Sequence, residues 1–403
     1  MIVLDPEAVH RLLQCLCMAA RPLRVEELTE ILALEFDGAE GATPELHEYW
    51  LWHDPERAVL SSFPSLITLV DNGHSRVVQF SHHSIKDFLT SGRLANSHRE
   101  ISRFRVIFED AHTTLTQACL AILLRLDGSS SNDQVECDFP LARYASQHWV
   151  EHAQFGLVSA SIEDSMQRLF DSTELSFSTW LRLYNIDDHW NRFSNAWVPR
   201  GFPLYYASLC GFRDLVEHII KDRPEQVHAT GGRRHSPLAA ALSKGHFHVA
   251  ELLLQHGASV DVTDYNDQTL LQAASVDGRS DVVRWLLDHG ADINSQPFDL
   301  EAPVRLATVN GHPEVIQTLL EYEVNIDSAD DDGRTPLHLA SSSEKVEIVR
   351  LLLDRGANPN TVDMDGCTPL SLTWTTEVER LLLDYGAQVR ESPEDGIENG
   401  IVR

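Results

Sequence analysis

A segment of six residues recurs at a fixed spacing through the second half of this 403-residue chain. The copies are FPLYYA, SPLAAA, TLLQAA, APVRLA, TPLHLA and TPLSLT, whose second positions are Pro203, Pro237, Leu270, Pro303, Pro336 and Pro369. Successive copies are 34, 33, 33, 33 and 33 residues apart. A constant period of this length is typical of stacked structural repeats, in which each unit packs only against its neighbours. The spacing therefore limits this half of the chain to a repeat architecture.

Two further markers keep the same period. A glycine lies eight residues after the second position of four copies, at Gly211, Gly245, Gly278 and Gly311. A run of leucines followed by Gly-Ala then closes most units, as in LLLQHGA and LLLDRGA. Proline is tolerated in the first turn of a helix, and glycine ends a helix by adopting a left-handed conformation. We therefore expect each unit to contain two short helices whose apolar faces are buried only when the units stack.

These motifs resemble the ankyrin repeat, whose first helix opens with T-P-L-H-x-A. The resemblance implies a solenoid of about six units over residues 197–390, with antiparallel helix pairs, β-hairpin fingers and a concave surface that binds a protein ligand. Three features depart from the pattern: Leu270 replaces proline, Glu323-Val324 replaces Gly-Ala, and the last unit is three residues short. We expect the polar tail, residues 391–403, to be disordered.

The candidate protein-binding residues are the fingertip and inner-helix positions that folding does not fix. By register they are Tyr265, Asn266, Gln268, Val276, Asp277, Phe298, Asp299, Glu301, Asn310, Arg334 and Met364. Tyr265, Phe298 and Met364 are apolar where a solvated turn favours Gly, Asn or Asp, so they either contact a partner or pack on neighbouring fingers. The acidic run Asp330–Asp332 is either a solvated turn or a docking point for Arg or Lys.

The charge balance limits the kinds of partner. The chain has 61 acidic and 32 basic residues, which give a formal net charge of -29. Such a field repels nucleic acid and anionic membranes, so we expect neither as a partner. No apolar stretch approaches the roughly 20 residues that span a bilayer. The six cysteines match neither a zinc ribbon nor a secreted disulfide framework, which predicts a reducing compartment, cytoplasmic or nuclear.

The first 95 residues predict a different kind of domain. Apolar residues recur every three to four positions on both sides of Arg21-Pro22, which indicates two helices. Asp71-Asn72-Gly73 between two β-rich runs is a strong hairpin signal. The expected elements are two helices within residues 5–36, a helix across 55–63, strands at Leu66–Val70 and Arg76–Phe80, and a helix at Ser84–Thr90. Three helices, a hairpin and a closing helix predict a winged-helix-like domain over residues 1–95.

Winged helices often bind DNA through a basic recognition helix, but this one lacks the necessary charge. The segment DPERAVLSSFPSL carries two acids and a single Arg57. Recognition helices need Arg or Lys to face phosphates and bases. We therefore expect no DNA binding here.

The sequence segments of this domain and of the region after it resemble parts of another protein family. ARPLRVEELTEILALEF, SLITLV and RVVQFSHHSIKDFLTS resemble the winged helix after the nucleotide-binding NACHT module of fungal receptor-like ATPases, and PLARYASQHWVEHA resembles the helical region before their ankyrin arrays. The resemblance implies a helical connector over residues 96–196 and a role in fungal signalling or self/non-self response. In related switch ATPases a winged-helix histidine contacts ADP, and His82 lies at the matching position. His83 stands where that motif has Asp.

No G-x-x-x-x-G-K-[ST] phosphate loop occurs in the sequence, so a nucleotide contact by His82 requires a separate NACHT module. Two interpretations follow. The chain is a stand-alone adaptor, or it is the sensor end of a NACHT ATPase that acts in cis or in trans with its nucleotide-binding module.

One motif suggests an enzyme instead. His148-Trp149-Val150-Glu151-His152 matches H-x-x-E-H, the zinc motif of inverted metalloproteases. Its two histidines would share one face of a helix, as a metal site requires. No downstream glutamate-bearing helix of the expected kind follows, and the same residues fit a packing helix, which we favour over a zinc hydrolase.

The predicted fold class is therefore mainly α, with a winged-helix domain, a helical connector and then an ankyrin-repeat solenoid. The predicted function is a non-enzymatic protein–protein interaction module. We expect it to need no cofactor and no metal, and to bind its protein ligand on the concave face of the repeats.

Overall fold

The computed structural model describes residues 6–36, 43–46, 59–60, 65–73, 75–94, 99–128, 130–171, 175–187, 201–294, 302–322 and 324–389. The chain divides into two compact units, Met1–His256 and Gly257–Arg403.

The chain begins with helices α1 (Pro6–Met18) and α2 (Val25–Leu32), which lie on either side of the predicted break. Cys15 and Cys17 are buried on α1, where they act as small core residues. The first turn of α2 is closed by Glu27, whose carboxylate accepts a hydrogen bond from the backbone N–H of Arg24 at 2.7 Å. Burial opposes the ionisation of Glu27, but hydrogen bonds and ion pairs with Arg21 and Arg24 hold its pKa below the usual value.

Two antiparallel ladders follow α2. The first joins strands β1 (Leu34–Glu35) and β2 (Glu45–Leu46) and was not predicted. The second joins β3 (Ile67–Asp71) to β4 (Arg76–Phe80), which confirms the predicted hairpin with its first strand shifted by one residue. Helix α3 (Ser84–Thr90) then matches the prediction. The helix expected across 55–63 lies mostly outside the described residues.

A group of helices precedes the repeats. They are α4 (Arg99–Ser102), α5 (Phe108–Leu123), α6 (Asn132–Asp138), α7 (Ala142–Ala153), α8 (Val158–Ser161), α9 (Glu163–Phe170) and α10 (Leu175–Leu183). Helix α5 packs along α7 and also against α1. Its side chains at Leu115, Cys119 and Ile122 are fully buried because they face these two neighbours. Helix α5 thus joins α7 to the N-terminal helix α1.

Six helical pairs follow at the predicted period within the described residues. In the first unit they are α11 (Pro203–Cys210) with α12 (Arg213–Asp222), then a 3₁₀ helix (Pro224–His228), and α13 (Pro237–Ser243) with α14 (Phe247–Gln255). In the second unit they are α15 (Leu270–Val276) with α16 (Ser280–Asp288), α17 (Pro303–Asn310) with α18 (Pro313–Glu321), α19 (Pro336–Ser342) with α20 (Val346–Asp354), and a 3₁₀ helix (Pro369–Leu372) with α21 (Thr376–Asp384).

Proline opens the first helix of every pair except α15, where a capping box replaces it. The Thr269 hydroxyl accepts from the backbone N–H of Gln272 at 3.2 Å, and the Gln272 side chain accepts from the N–H of Thr269 at 2.8 Å. Both bonds satisfy backbone donors that a helix start leaves without partners. The departure at Leu270 therefore leaves the repeat intact.

Glycine is favoured at position 278, between α15 and α16, for two reasons. Gly278 has φ +73°, and a Cβ atom at this position would lie 2.7 Å from the ring of His312. That ring bonds through Nε2 to the carbonyl oxygen of Val276 at 2.9 Å, which ties one pair to the next. Glu344 occupies the equivalent position with φ +55°, and its carboxylate accepts from the backbone N–H of Thr375 at 3.1 Å.

Aromatic side chains of the preceding helices cover the first helical pair. Trp149 of α7 packs edge-on against Trp180 of α10 at 5.3 Å between ring centroids and stacks on Phe212 at 5.4 Å. Phe177 meets Tyr206 of α11 edge-on at 5.8 Å.

Candidate protein-binding surface

Three described fingers of the second unit are closed by an aspartate. Each aspartate Oδ1 accepts hydrogen bonds from the backbone N–H groups two and four residues later, which adds to the backbone hydrogen bonds of the same turn. The bonds are Asp264 with Asn266 (2.8 Å) and Gln268 (3.0 Å), Asp330 with Asp332 (3.1 Å) and Arg334 (2.7 Å), and Asp363 with Asp365 (3.1 Å) and Cys367 (2.7 Å). The aspartate and the backbone hydrogen bonds therefore hold each turn without using the side chain of the residue that follows the aspartate.

The residues that follow two of these aspartates are large and apolar. The side chains of Tyr265 and Met364 lie at the fingertips, 62% and 78% exposed. Beside Tyr265, Asn266 is exposed and Gln268 is half-buried. Exposure of this size leaves most of both apolar side chains in solvent.

The inner-helix candidates lie at the C-terminal ends of α15 and α17. Val276 is half-buried and Asp277 is exposed after it. Asn310 is exposed, and its amide donates to the carbonyl oxygen of Leu306 at 2.9 Å. The register did not select Val309, which is 49% exposed beside Asn310 and adds apolar surface to this edge.

Arg334 lies among three carboxylates of two neighbouring fingers. Its nitrogen atoms are 4.0 Å from Asp332, 3.8 Å from Asp363 and 3.7 Å from Asp365. These distances are at the long limit for ion pairs, and 41% of the side chain is exposed. One guanidinium is therefore shared loosely by three acids.

The three carboxylates of the acidic finger Asp330–Asp332 have different environments. Asp330 Oδ2 accepts from the guanidinium of Arg305 at 2.7 Å, and that arginine side chain is only 2% exposed. Burial opposes the ionisation of Asp330, but Arg305 and two backbone N–H groups hold its pKa below the usual value. Asp331 and Asp332 are exposed. Thus one carboxylate serves the fold and two face solvent.

Sequence reasoning missed the partner of Asp330, although the repeat contained a signal. The fourth position of the recurring segment is polar in several copies, and its side chain bonds back to the start of its own helix at Gln272 and at His338. In APVRLA this position is Arg305, which is long enough to reach the next finger.

Three of the candidate binding residues are Phe298, Asp299 and Glu301. They lie outside the described residues.

The last repeat exposes apolar surface that was not among the candidates chosen from the sequence. Trp374 is 88% exposed and Val389 is 74% exposed. Together with Thr368, Ser371 and Glu379 they line a cavity of about 380 Å³. The first helix of this unit is reduced to one 3₁₀ turn, so Trp374 falls in the loop between the two helices. The three missing residues were the sequence signal for this change.

The nucleotide-contact candidate, His82, is exposed just before α3. Its Nδ1 is 2.7 Å from the hydroxyl of Ser84, and its ring stacks on His83 at 4.3 Å between centroids. These contacts fix the ring locally.

The H-x-x-E-H residues lie on α7, where both ring nitrogens of His152 are engaged. Nε2 is 2.7 Å from the Tyr144 hydroxyl, and Nδ1 is 2.8 Å from Nδ1 of His112. Burial lowers the pKa of His152 to about 3, so the ring is neutral at physiological pH. Tyr144 also accepts from the backbone N–H of Ala20 at 3.1 Å. This arrangement joins α7 to α5 and to the end of α1, which is a packing role.

Neither a metal centre nor a membrane span is found in the part of the chain that the structure describes. There, no three His, Cys, Asp or Glu side chains are placed to hold a metal ion. Likewise, none of the described helices combines the length and apolar character needed to cross a bilayer.

Comparison with known proteins identifies the repeats. The family described as ankyrin repeats (3 copies) matches residues 204–297 and 299–363. A solved ankyrin repeat domain from Acinetobacter baumannii is 32% identical and covers 46% of this chain and 98% of that domain, with a TM-score of 0.41.

A similar protein is the azaphilone pigments biosynthesis cluster protein L of Monascus ruber, 31% identical over 272 residues. The alignment covers 62% of this chain, and the chain spans 56% of the length of that protein. A match of this size is longer than the stretch from Pro203 to the last residue, so it includes part of the helical region before the repeats. Residues 204–297 and 299–363 of this chain thus match ankyrin repeats, a repeat type that typically binds protein partners.

Proposed function

We propose that this chain is a non-enzymatic recognition module whose ankyrin repeats bind a protein ligand through fingertip and inner-helix side chains. The observation that carries the proposal is the exposure of Tyr265 (62%) and Met364 (78%) on turns that Asp264 and Asp363 already hold. Burying a large apolar or aromatic side chain in a partner is the usual source of binding energy at such surfaces. Since Asp264 and Asp363 already bond within the turns, the exposed apolar surface of these two side chains is available to a partner.

The proposed binding set keeps the sequence candidates and adds one residue. It consists of Tyr265, Asn266, Gln268, Val276, Asp277, Phe298, Asp299, Glu301, Asn310, Arg334 and Met364, with Val309 added for its exposure. Asp330 is left out because it pairs with Arg305.

The proposed organisation is a winged-helix-like domain over residues 1–95, a helical connector over 96–196, ankyrin repeats over 197–390 and a disordered tail over 391–403. The order of α1, α2, the β3–β4 hairpin and α3 supports the first part. His82 would contact a nucleotide only beside a NACHT module in cis or in trans. The similarity to a Monascus ruber protein supports a fungal setting, and a cytoplasmic role in signalling or self/non-self response remains part of the proposal.

A site-specific crosslinking experiment tests the binding surface. A benzophenone amino acid placed at position 265 or 364 of the full chain should capture a protein ligand in extract of the producing cells. The matched control is position 317, an exposed residue of α18 on the other helix of its pair. The same experiment at position 82 tests the alternative, because a sensor end acting in trans should capture an ATPase there. Equal capture at 265 and 317 would contradict the proposed surface.

A second test separates binding from folding. Tyr265→Ala should leave the melting temperature within about 1 °C, since the side chain is mostly exposed, and should weaken ligand capture about 10-fold or more. Unfolding of the repeats by this substitution would show that Tyr265 packs on its neighbours and that the register of the surface is wrong.

A further inference from the structure

The fingertip row of the second unit consists of the described finger residues 264–268, 330–334 and 363–367. Its two exposed apolar side chains, Tyr265 and Met364, are 99 positions apart, which is three repeats of 33 residues. Neighbouring packed helices lie about 8–10 Å apart, so stacking over three repeats separates the two side chains by roughly 25–30 Å. A partner that contacts both must present apolar groups at about this distance.

The three described fingers of this row are strongly negative. Asp267, Asp331, Asp332 and Asp365 are exposed on the fingertip row. Among the described residues of the row the one cation is Arg334, which three carboxylates already share at 3.7–4.0 Å. Arg305 does not offset the exposed charge, because it is buried and bonded to Asp330. The exposed row therefore carries an excess of negative charge directly beside its apolar groups.

Resting on the proposed function, we infer that the fingertip row binds a basic protein segment, rich in Lys and Arg, that carries an apolar side chain towards each end. The apolar groups contact Tyr265 and Met364, and the cations between them face Asp331, Asp332 and Asp365. An acidic segment or a nucleic acid would be repelled by the same carboxylates. An extended segment of about eight or nine residues covers this distance.

The inference predicts which peptides the full chain selects. A phage-displayed library of random 16-residue peptides, selected on the full chain at 50 mM NaCl, should be enriched in peptides with a positive net charge and at least two large apolar residues. The selected peptides are then synthesised with a fluorescent label, and their Kd values are measured by anisotropy.

The charge requirement is tested with two matched triple variants. Asp331→Asn with Asp332→Asn and Asp365→Asn should weaken binding about 10-fold, because each exposed ion pair contributes a two- to threefold change in affinity. The control, Glu314→Gln with Glu347→Gln and Asp384→Asn, removes the same number of exposed charges from the second helices of the pairs and should change the Kd less than twofold. Raising NaCl to 500 mM should also weaken binding to the unsubstituted chain.

The outcomes separate this inference from the proposed function. If the selected peptides are neutral or acidic, or if both triple variants weaken them equally, the basic partner is wrong. The proposed surface still stands in that case when Tyr265→Ala and Met364→Ala abolish peptide binding. If the library yields no peptide that depends on these two side chains, both the inference and the proposed surface fail.

Discussion

The two ends of the repeat region differ in what covers them. At the start, Trp149 of the preceding helices stacks on Phe212, Phe177 packs on Tyr206, and all four side chains are buried. At the end, Trp374 is 88% exposed beside the cavity that Val389 also lines. A repeat buries its apolar face only against a neighbour, so each terminal unit needs a cap. Here the non-repeating helices cap the first repeat. The last repeat is shortened and keeps an aromatic side chain in solvent.

This difference indicates that the helices before the repeats are structural partners of the first pair. The amide of Gln154 donates to the carbonyl oxygen of Cys210 at 2.6 Å, which extends the contact beyond the aromatic rings. We therefore expect large losses of stability from substitutions at the covered start and small ones at the open end.

The largest expected effect is at Trp149. Trp149→Ala should lower the free energy of unfolding by about 3–5 kcal/mol, because it leaves a cavity among Phe170, Trp180 and Phe212. Chemical denaturation followed by circular dichroism measures the loss. A change below about 1 kcal/mol would show that the first pair does not need this cap.

Next is a substitution inside the second unit, away from both ends. Leu286→Ala removes a fully buried side chain of α16 and should cost about 2–5 kcal/mol. The matched control is Leu383→Ala in α21, where 40% of the side chain is exposed and the cost should be less than half as large. Similar losses at both positions would mean that the last unit is packed as tightly as the interior ones.

A pH effect is expected in the first compact unit, at Glu30 on α2. Burial raises the pKa of Glu30 on α2 to about 7, while its Oε2 accepts from the backbone N–H of Leu141 at 2.6 Å. Because the folded state holds this proton and the unfolded state releases it near pH 4.5, the contribution of Glu30 to stability is lost as pH rises from about 4.5 to 7.

Glu30→Gln stays neutral and keeps the acceptor for Leu141. The substitution should abolish this pH-dependent loss of unfolding free energy, which is about 3 kcal/mol. The variant should therefore be more stable than the unsubstituted chain at pH 8. Denaturation midpoints measured between pH 5 and pH 8 test the effect. Parallel pH profiles for the two proteins would show that Glu30 has an ordinary pKa.

The smallest effect is expected at the open end. Trp374→Ala should change the free energy of unfolding by no more than about 0.5 kcal/mol, since the side chain is almost wholly in solvent. A loss above about 2 kcal/mol would mean that Trp374 is covered in solution and that the two ends do not differ as described.

Much of the fold could be predicted because the signals are local. The proline, glycine and leucine positions set the helix boundaries of each pair, and the run around Asp71 set the hairpin. For the candidate surface, the repeat register predicted which residues lie at the fingertips. Tyr265 and Met364 are exposed where the sequence placed fingertips, but whether they bind a partner stays a prediction. Asp330 was placed on the same row and turned out to be bonded to Arg305, because a contact between two units has no fixed sequence pattern.

The sequence by itself determined the repeat and its period, since the same helix starts and helix ends recur along it at a constant spacing. Only the tertiary structure decided what meets the first pair, which acid of Asp330–Asp332 is internal, and that His148 and His152 lie in a packing helix. These outcomes depend on which non-repeating side chains approach from elsewhere in the chain. Period and spacing report contacts that recur, whereas contacts made only once are fixed by the packing of the folded chain.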